Sequence, residues 1–178
     1  MHFRSTDWTA TLPPNYTFKA TLKTAGTQSL TATDTAAASL TATQGNITVN
    51  PAAASKFLLS APSSATAGTS FSLTVTAEDA YGNVATGYTG TVHFTSSDGQ
   101  AALPADYTFT PGDGGVHTFT VTLKTAGSQT VTATDTASSS ITGQASLTVN
   151  PAAASTMTVA GFPSPTTAGV SHTFTVTL

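Results

Sequence analysis

Apolar and polar residues alternate with a period of two along much of the chain. The alternation is strict in FSLTVTA (71–77), VHFTS (92–96), HTFTVTL (117–123) and QTVTATD (129–135). A period of two places every second side chain on one face of a strand, so each stretch predicts a β-strand with one buried face. A composition rich in Thr, Ala and Ser would otherwise indicate a disordered stalk, and the alternation argues against that for most of the chain.

Seven short strands, separated by turn signals, are predicted between residues 50 and 150. They are strand A at 56–60, B at 69–77, C at 91–96, D at 107–110, E at 116–123, F at 128–135 and G within 141–149. Seven strands in about 100 residues predict an all-β fold, an antiparallel β-sandwich. The predicted inward row is Phe71, Leu73, Val75, Val92, Phe94, Tyr107, Phe109, Phe119, Val121, Leu123, Val131, Ile141, Leu147 and Val149.

The chain repeats itself with a period of about 100 residues. LKTAG begins at Leu22 and again at Leu123, and NPAAAS begins at Asn50 and again at Asn150. Self-alignment places the first part of the chain on the later part of the repeat, and the last part on its beginning. We therefore expect one complete domain flanked by two partial domains: a partial domain at 1–49, the complete domain at 50–150 and a partial domain at 151–178.

The two partial domains carry complementary strands. Residues 1–49 match strands C to G but lack the glycine-rich turn between D and E, so YTFKATL (16–22) predicts one continuous strand there. Residues 151–178 match only strand A, at 156–160, and strand B, at 172–178. The strands that are missing from one partial domain are therefore largely present in the other.

Two stretches, AGTSFSLTVTAEDAYGNVATGYTGTVHFTSSD and GVHTFTVTLKTAGSQTVTATDT, resemble bacterial Ig-like tandem repeats. DAYGN and the strand after KTAG also resemble filamin-type repeats. The resemblance covers essentially all of 50–150 and, in pieces, both flanks. It implies an Ig-like sandwich at the cell surface or outside the cell, where such repeats serve as spacers, stalks, adhesin modules or fibre modules. Fold does not by itself define function.

Charge is scarce in this chain. Only 7% of the residues are charged, the formal net charge is -3, and there is no cysteine. Forty threonines supply polar strand faces without charge. We expect no nucleic-acid partner, because there is no basic footprint. We expect no membrane insertion either, since no apolar run approaches the roughly 18 residues that span a bilayer.

No catalytic signature is present. There is no G-x-S-x-G motif and no thiol nucleophile. The histidines are His2, His93, His117 and His172, and none has metal-ligand spacing to another. We therefore expect neither an enzyme nor a cofactor.

Five oxygen-bearing side chains fall in predicted turns and are calcium candidates: Asp79, Asn83, Asp98, Asp106 and Asp113. Asp and Asn also dominate turns for a local reason, since their side chains bond to nearby backbone groups. We expect no resident metal and keep these residues as the only candidates.

Two other patterns suggest chemistry. Lys56 in strand A and Asn150 after strand G would suit an intramolecular isopeptide bond, assisted by Glu78 or Asp79, if the fold places them together. The aromatic candidates for a carbohydrate-binding face are Trp8, Tyr16, Tyr81 and Tyr88.

Two functional hypotheses remain open. In the first, the chain is a structural repeat of an extracellular fibre or stalk. Either residues 151–178 of one copy complete the open domain of the next copy head to tail, or the partners are adjacent repeats of a longer chain. The assembly residues would be Met157, Val159, Phe174, Val176 and Leu178. In the second, the chain is an adhesin or carbohydrate-binding module of a larger secreted protein.

Overall fold

The computed structural model describes residues 17–178, whose regular structure is β-strand apart from one 3₁₀ turn at Pro111–Asp113. The strands are β1 (Gly26–Thr33), β2 (Thr41–Val49), β3 (Lys56–Ser60), β4 (Ser64–Thr66), β5 (Ser70–Glu78), β6 (Thr91–Ser96), β7 (Tyr107–Thr108), β8 (Val116–Thr122), β9 (Gly127–Asp135), β10 (Thr142–Asn150), β11 (Thr158–Ala160) and β12 (Thr175–Thr177). Predicted strands A, B, C, E, F and G correspond to β3, β5, β6, β8, β9 and β10, each to within one residue at either end.

Strands β3 to β10 form two facing sheets. One has the order β3-β5-β8 and is antiparallel; the other has the order β4-β10-β9-β6-β7. In the second sheet only the β4–β10 pair is parallel. The predicted all-β, Ig-like antiparallel β-sandwich is therefore confirmed. The predicted domain boundaries at 49/50 and 150/151 stay predictions, and we call residues 50–150 the complete repeat.

The first strand of the sandwich changes sheets. β3 pairs with β5, and after Pro62 the chain continues as β4, which pairs with β10 of the opposite sheet. Proline cannot donate a ladder hydrogen bond, so it suits the break between the two segments. The switch joins the two sheets along one side of the sandwich.

Strand D differs from the prediction. The two-residue strand β7 pairs with β6, whereas strand D of a constant-type Ig domain pairs with strand E. The edge of β8 is instead occupied by Ala102, whose N–H and carbonyl group both bond to Thr122. Alternation reveals that a segment is a strand, but it does not reveal which neighbour that strand pairs with.

The core lies between the two sheets, and every member of the predicted inward row is buried or half-buried there. Leu73, Val75 and Val121 are fully buried, and Phe71 is among the half-buried members at the edge. The prediction missed Phe57 and four small residues that complete the packing: Ala77, Ala85, Ala133 and Ala145.

Threonine hydroxyl pairs connect neighbouring strands on the exposed faces. Pairs with oxygen–oxygen distances of 2.8–3.0 Å are Thr31–Thr43, Thr33–Thr41, Thr74–Thr118, Thr91–Thr108 and Thr134–Thr142. Cross-strand Thr pairs stabilise a sheet without charge. These pairs explain how a chain with so few charged residues can present polar outer faces.

The C-terminal hairpin (β11–β12) keeps the register of strands A and B. It pairs Val159 with Val176, just as the complete repeat pairs Leu59 with Val75. The predicted strands at 156–160 and 172–178 are therefore present in shortened form.

The N-terminal hairpin (β1–β2) keeps the register of strands F and G over its first pairs. It joins Gln28 to Ile47, as the complete repeat joins Gln129 to Leu147. One additional residue in β2 then produces a bulge, where Asn46 has a positive φ of 56°.

The predicted continuous strand at 16–22 is wrong for its described part, because residues 17–22 are not in a strand. A strand needs a neighbouring strand for its backbone hydrogen bonds. Within residues 17–178, β1 and β2 pair only with each other, so residues 17–22 have no strand to pair with. The predicted equivalent of strand C lies within residues 1–16, outside the described residues.

Replacement of a core leucine should destabilise the sandwich. Leu73→Ala should lower the free energy of unfolding by about 2–5 kcal/mol, because Leu73 is 0% exposed and leaves a cavity between the sheets. The matched control is Leu58→Ala, since Leu58 is 53% exposed on the outer face and should change stability by about 0.5 kcal/mol or less. Urea unfolding followed by circular dichroism measures both, and equal losses would contradict the assigned core.

Candidate functional site: the repeat junction

A six-residue linker, residues 50–55, connects the N-terminal hairpin to the sandwich. The Ala52 N–H donates to the Asp79 carboxylate at 3.0 Å, and the Ser55 N–H donates to the Glu78 carbonyl oxygen at 2.7 Å. The linker therefore lies against the end of β5 and the residue that follows it.

Asp79 organises the turn DAYGN, residues 79–83, which we call the Asp79 turn. Its Oδ1 atom accepts hydrogen bonds from the Tyr81 and Asn83 N–H groups at 2.8 and 2.9 Å. Gly82 has a φ of 83°, a conformation that favours glycine and lets the chain reverse direction. This geometry fixes the position of the Asn83 side chain.

The Asn83 side chain joins Asp79 to the preceding hairpin. Its amide nitrogen, Nδ2, donates to Asp79 Oδ2 and to the Lys23 carbonyl oxygen, both at 2.8 Å. Its oxygen, Oδ1, accepts from the Ala25 N–H at 2.9 Å. The Lys23 ammonium lies 5.3 Å from the centre of the Tyr81 ring, a cation–π contact across the same boundary. We call this set of contacts the asparagine clasp.

Asp79 is fully buried and remains a carboxylate. The hydrogen bond from the Asn83 side chain and those from three backbone N–H groups hold the pKa of Asp79 well below its usual range, although burial acts in the opposite direction. One carboxylate therefore binds the linker, its own turn and the residue that contacts the preceding hairpin.

A second buried carboxylate orders the turn KTAG at residues 124–127, which we call the downstream turn. Asp98 accepts hydrogen bonds from the Lys124 N–H, the Thr125 N–H and the Thr125 hydroxyl group. The hydroxyl bond of Thr125 is the largest influence that keeps the pKa of Asp98 well below its usual range. Residues 23–26, the upstream turn, have the same sequence and contribute the Lys23 and Ala25 groups of the asparagine clasp.

The other candidate carboxylates lie elsewhere. Asp113 accepts hydrogen bonds from the Thr110 N–H and from the Tyr107 and Thr110 hydroxyl groups, and it also bonds to His117 at 2.8 Å. Asp106 contacts His93 at 2.7 Å on the exposed face of the other sheet. The Thr110 backbone bond is the main cause of an Asp113 pKa well below its usual range.

The calcium candidates therefore do not converge, apart from Asp79 and Asn83. Among residues 17–178, no three His, Cys, Asp or Glu side chains are grouped so that they could hold a metal ion. The carboxylates of Asp79, Asp98 and Asp113 accept hydrogen bonds from the protein. Calcium binding by these residues stays a prediction.

The predicted pairing of Lys56 with Asn150 is wrong. Lys56 lies opposite Glu78, with 3.2 Å between its Nζ atom and Glu78 Oε2, whereas Asn150 pairs with Thr66. Strand β10 passes close to Phe57 at Gly143, and Asn150 is seven residues further along. At about 3.3 Å per residue, that separation is over 20 Å, too far for an isopeptide bond.

The predicted aromatic face does not form around Tyr88. Its ring packs edge-on against Phe57 and Phe109, and its hydroxyl group donates to Asp135. Tyr81 is 55% exposed and contacts Lys23 instead. Trp8 and Tyr16 lie outside the described residues.

All five predicted assembly residues are on the surface of the C-terminal hairpin segment. Their exposed fractions are 64% for Met157, 63% for Val159, 55% for Phe174, 47% for Val176 and 77% for Leu178. These side chains form an exposed apolar row, and no other part of residues 17–178 covers it. Their role in assembly stays a prediction.

The asparagine clasp was not predicted. Its signal in the sequence is the pair of identical turns and the pair of identical linkers, which point to a junction used more than once. The contact itself depends on how a loop of one repeat meets a loop of the next, which residue patterns within a strand do not encode.

No protein-family model and no curated protein sequence matches the chain. Among solved structures, the chain is similar to Bacteroides uniformis β-glucuronidase 3, with a TM-score of 0.46 and 17% identity over 70% of this chain and 17% of that one. It is also similar to the Escherichia coli adhesin FdeC, with a TM-score of 0.46 and 20% identity over 78% of this chain and 57% of that one. The chain thus spans less than two thirds of either protein, and similarity at this level does not bear on what it binds or does.

Across residues 17–178, no helix has the length and apolar character required to cross a membrane.

Stability should fall in acid because Asp98 is held as a carboxylate. Its pKa is lower in the folded protein than the value of about 3.9 in an unfolded chain, so its contribution is complete above about pH 5 and is lost as the pH falls below about 4. The slope of the unfolding free energy against pH reports how many protons are taken up on unfolding. Asp98→Asn should lower that number by up to about one between pH 4 and 2.5.

The measurement is a series of urea unfolding curves from pH 7 to pH 2.5. Leu73→Ala is the control, since it lowers stability while keeping the carboxylate, and its curve should run parallel to the wild type. A slope for Asp98→Asn equal to that of the wild type would contradict the assigned role of Asp98.

Proposed function

We propose that this chain is a non-enzymatic structural repeat of an extracellular fibre or cell-surface stalk, in which successive Ig-like repeats are joined through the asparagine clasp. The observation that carries the proposal is the bridge that Asn83 makes between the upstream turn and Asp79, which itself binds the linker. The buried polar groups at this end of the sandwich serve to position one repeat against another.

The buried carboxylates support a structural role. Asp79 and Asp98 fix turns, and Asp135 accepts hydrogen bonds from the Tyr88 hydroxyl group and from the Ala137 N–H. Each accepts from groups that a turn or a corner would otherwise leave unpaired, and this use is typical of structural carboxylates. The cell-surface location follows from the resemblance to bacterial Ig-like repeats.

A second candidate is assembly by strand complementation. It is favoured by the C-terminal hairpin, which has the register of strands A and B and an exposed apolar row that includes Val159 and Val176. An unpaired A–B hairpin of one copy would add to the F–G hairpin of the next, giving an open head-to-tail filament.

Two residues of the N-terminal hairpin would obstruct that addition. A Cβ atom at Gly143 would lie 2.1 Å from the Phe57 carbonyl oxygen, and Ala42 takes this ladder position in the N-terminal hairpin. In the same way, Gln44 takes the position of the buried Ala145. A donated strand A would have to lie further from β2 than β3 lies from β10.

Because of these two obstructions, we favour tandem repeats of one chain over complementation between copies.

Truncation separates the two forms of the proposal. Residues 1–178 and residues 1–150 should both be monomeric by multi-angle light scattering, with no fibres in negative-stain electron micrographs. Ala42→Gly in the full chain is the sensitised control, because it removes the Cβ atom that would meet a donated strand. Ordered filaments that require residues 151–178, and that Ala42→Gly lengthens, would contradict the tandem proposal and support complementation.

A further inference from the structure

The upstream and downstream turns are built alike. Both have the sequence KTAG, and their glycines have similar positive φ values, 104° for Gly26 and 118° for Gly127. In both, the glutamine two residues after the glycine donates from its side chain to the turn, Gln28 to the Ala25 carbonyl oxygen at 3.5 Å and Gln129 to the Thr125 carbonyl oxygen, one position earlier, at 3.2 Å. The two turns therefore share their sequence and the conformation of their glycine.

The two turns differ in what their backbone groups contact. The Lys23 carbonyl oxygen and the Ala25 N–H both bond to Asn83. Within residues 17–178, the Lys124 carbonyl oxygen accepts no hydrogen bond and the Ala126 N–H donates none, and both residues are exposed. One turn is occupied and the other is open.

The open turn is already fixed in shape. Asp98 accepts hydrogen bonds from the Lys124 and Thr125 N–H groups and from the Thr125 hydroxyl group, and it makes no hydrogen bond to the Ala126 N–H. A surface that is ordered before binding loses less conformational entropy when a partner docks. The downstream turn can therefore bind a partner group that fits its Lys124 carbonyl oxygen and Ala126 N–H without first changing shape.

A carboxamide is the group that suits this turn. One amide hydrogen must reach a carbonyl oxygen while the amide oxygen accepts from an N–H two residues later, as Asn83 does at 2.8 and 2.9 Å. A carboxylate has no donor for the carbonyl oxygen, and a hydroxyl group is too small to span both. The second hydrogen of the amide requires a fixed acceptor, which Asp79 supplies.

The linker places such a group within reach. Residues 150–155 repeat the linker sequence of residues 50–55, NPAAAS; the first linker follows β2, and the second begins at the last residue of β10. A complete repeat after the second linker would carry its own Asp-x-x-x-Asn turn one residue further along, because the loop between β11 and β12 has one extra residue that leaves their register unchanged. The geometry of the first junction then applies to the second.

We propose that the downstream turn is the docking site for the Asp-x-x-x-Asn turn of the Ig-like repeat that follows residues 150–155. The inference rests on the proposed tandem function. Because each junction has the same linker and the same asparagine clasp, successive repeats share one tilt and one twist, and the array is a regular rod.

The test extends the full chain at Leu178 with a second copy of residues 78–150, which continues the repeat in phase because Leu178 aligns with Ala77. Hydrogen exchange of the Ala126 amide is followed by NMR in the chain with and without the extension. The extension should slow this exchange at least tenfold. Replacing the asparagine of the added copy that corresponds to Asn83 by alanine should abolish the protection.

Asn83→Ala at the existing junction is the matched control. It should expose the Ala25 amide and leave Ala126 protected. If the first extension does not fold, a second chain can be used in which residues 1–150 are followed by residues 51–150, an exact copy of the complete repeat. The exchange of the Ala126 amide is then measured in that chain. Equal Ala126 exchange with asparagine and with alanine in a folded added repeat overturns the docking site. Failure of the tandem proposal itself would give a different result, namely filaments that depend on residues 151–178.

Discussion

The arrangement of this chain depends on one buried carboxylate. Asp79 accepts hydrogen bonds from the linker, from its own turn and from the Asn83 side chain, and all of these groups lie where strand β5 ends. A buried charge is stable only when hydrogen bonds replace its water, and here each donor is also a structural connection. The need to satisfy one carboxylate thus joins the sandwich to the segment before it.

Few charged side chains are used anywhere in the molecule. With 7% charged residues, the sandwich uses threonine hydroxyl pairs on its outer faces and a few carboxylates in its turns. Asp98 serves the downstream turn as Asp79 serves the linker, and both keep their negative charge through hydrogen bonds. The strand faces are therefore polar without charge, whereas the buried carboxylates of Asp79 and Asp98 lie in loops.

The strands and core of the complete repeat could be predicted from the sequence because period-two alternation is a direct consequence of burying one strand face. The position of β7, the sheet switch after β3 and the lost strand at 17–22 could not be, because each depends on which neighbour a strand finds. Asn83 illustrates the same limit. It was placed correctly in a turn, and only the fold shows that its amide reaches Lys23 and Ala25.

Asn83 fixes the N-terminal hairpin onto the sandwich through its hydrogen bonds to Lys23 and Ala25. Residual dipolar couplings of the amides in β1–β2 and in β5–β10 test this role directly, in the wild type and in Asn83→Ala. We expect one alignment tensor to fit both groups in the wild type, and the hairpin to require a separate, smaller tensor in Asn83→Ala. Two different tensors in the wild type, or a single shared tensor in the variant, would contradict it.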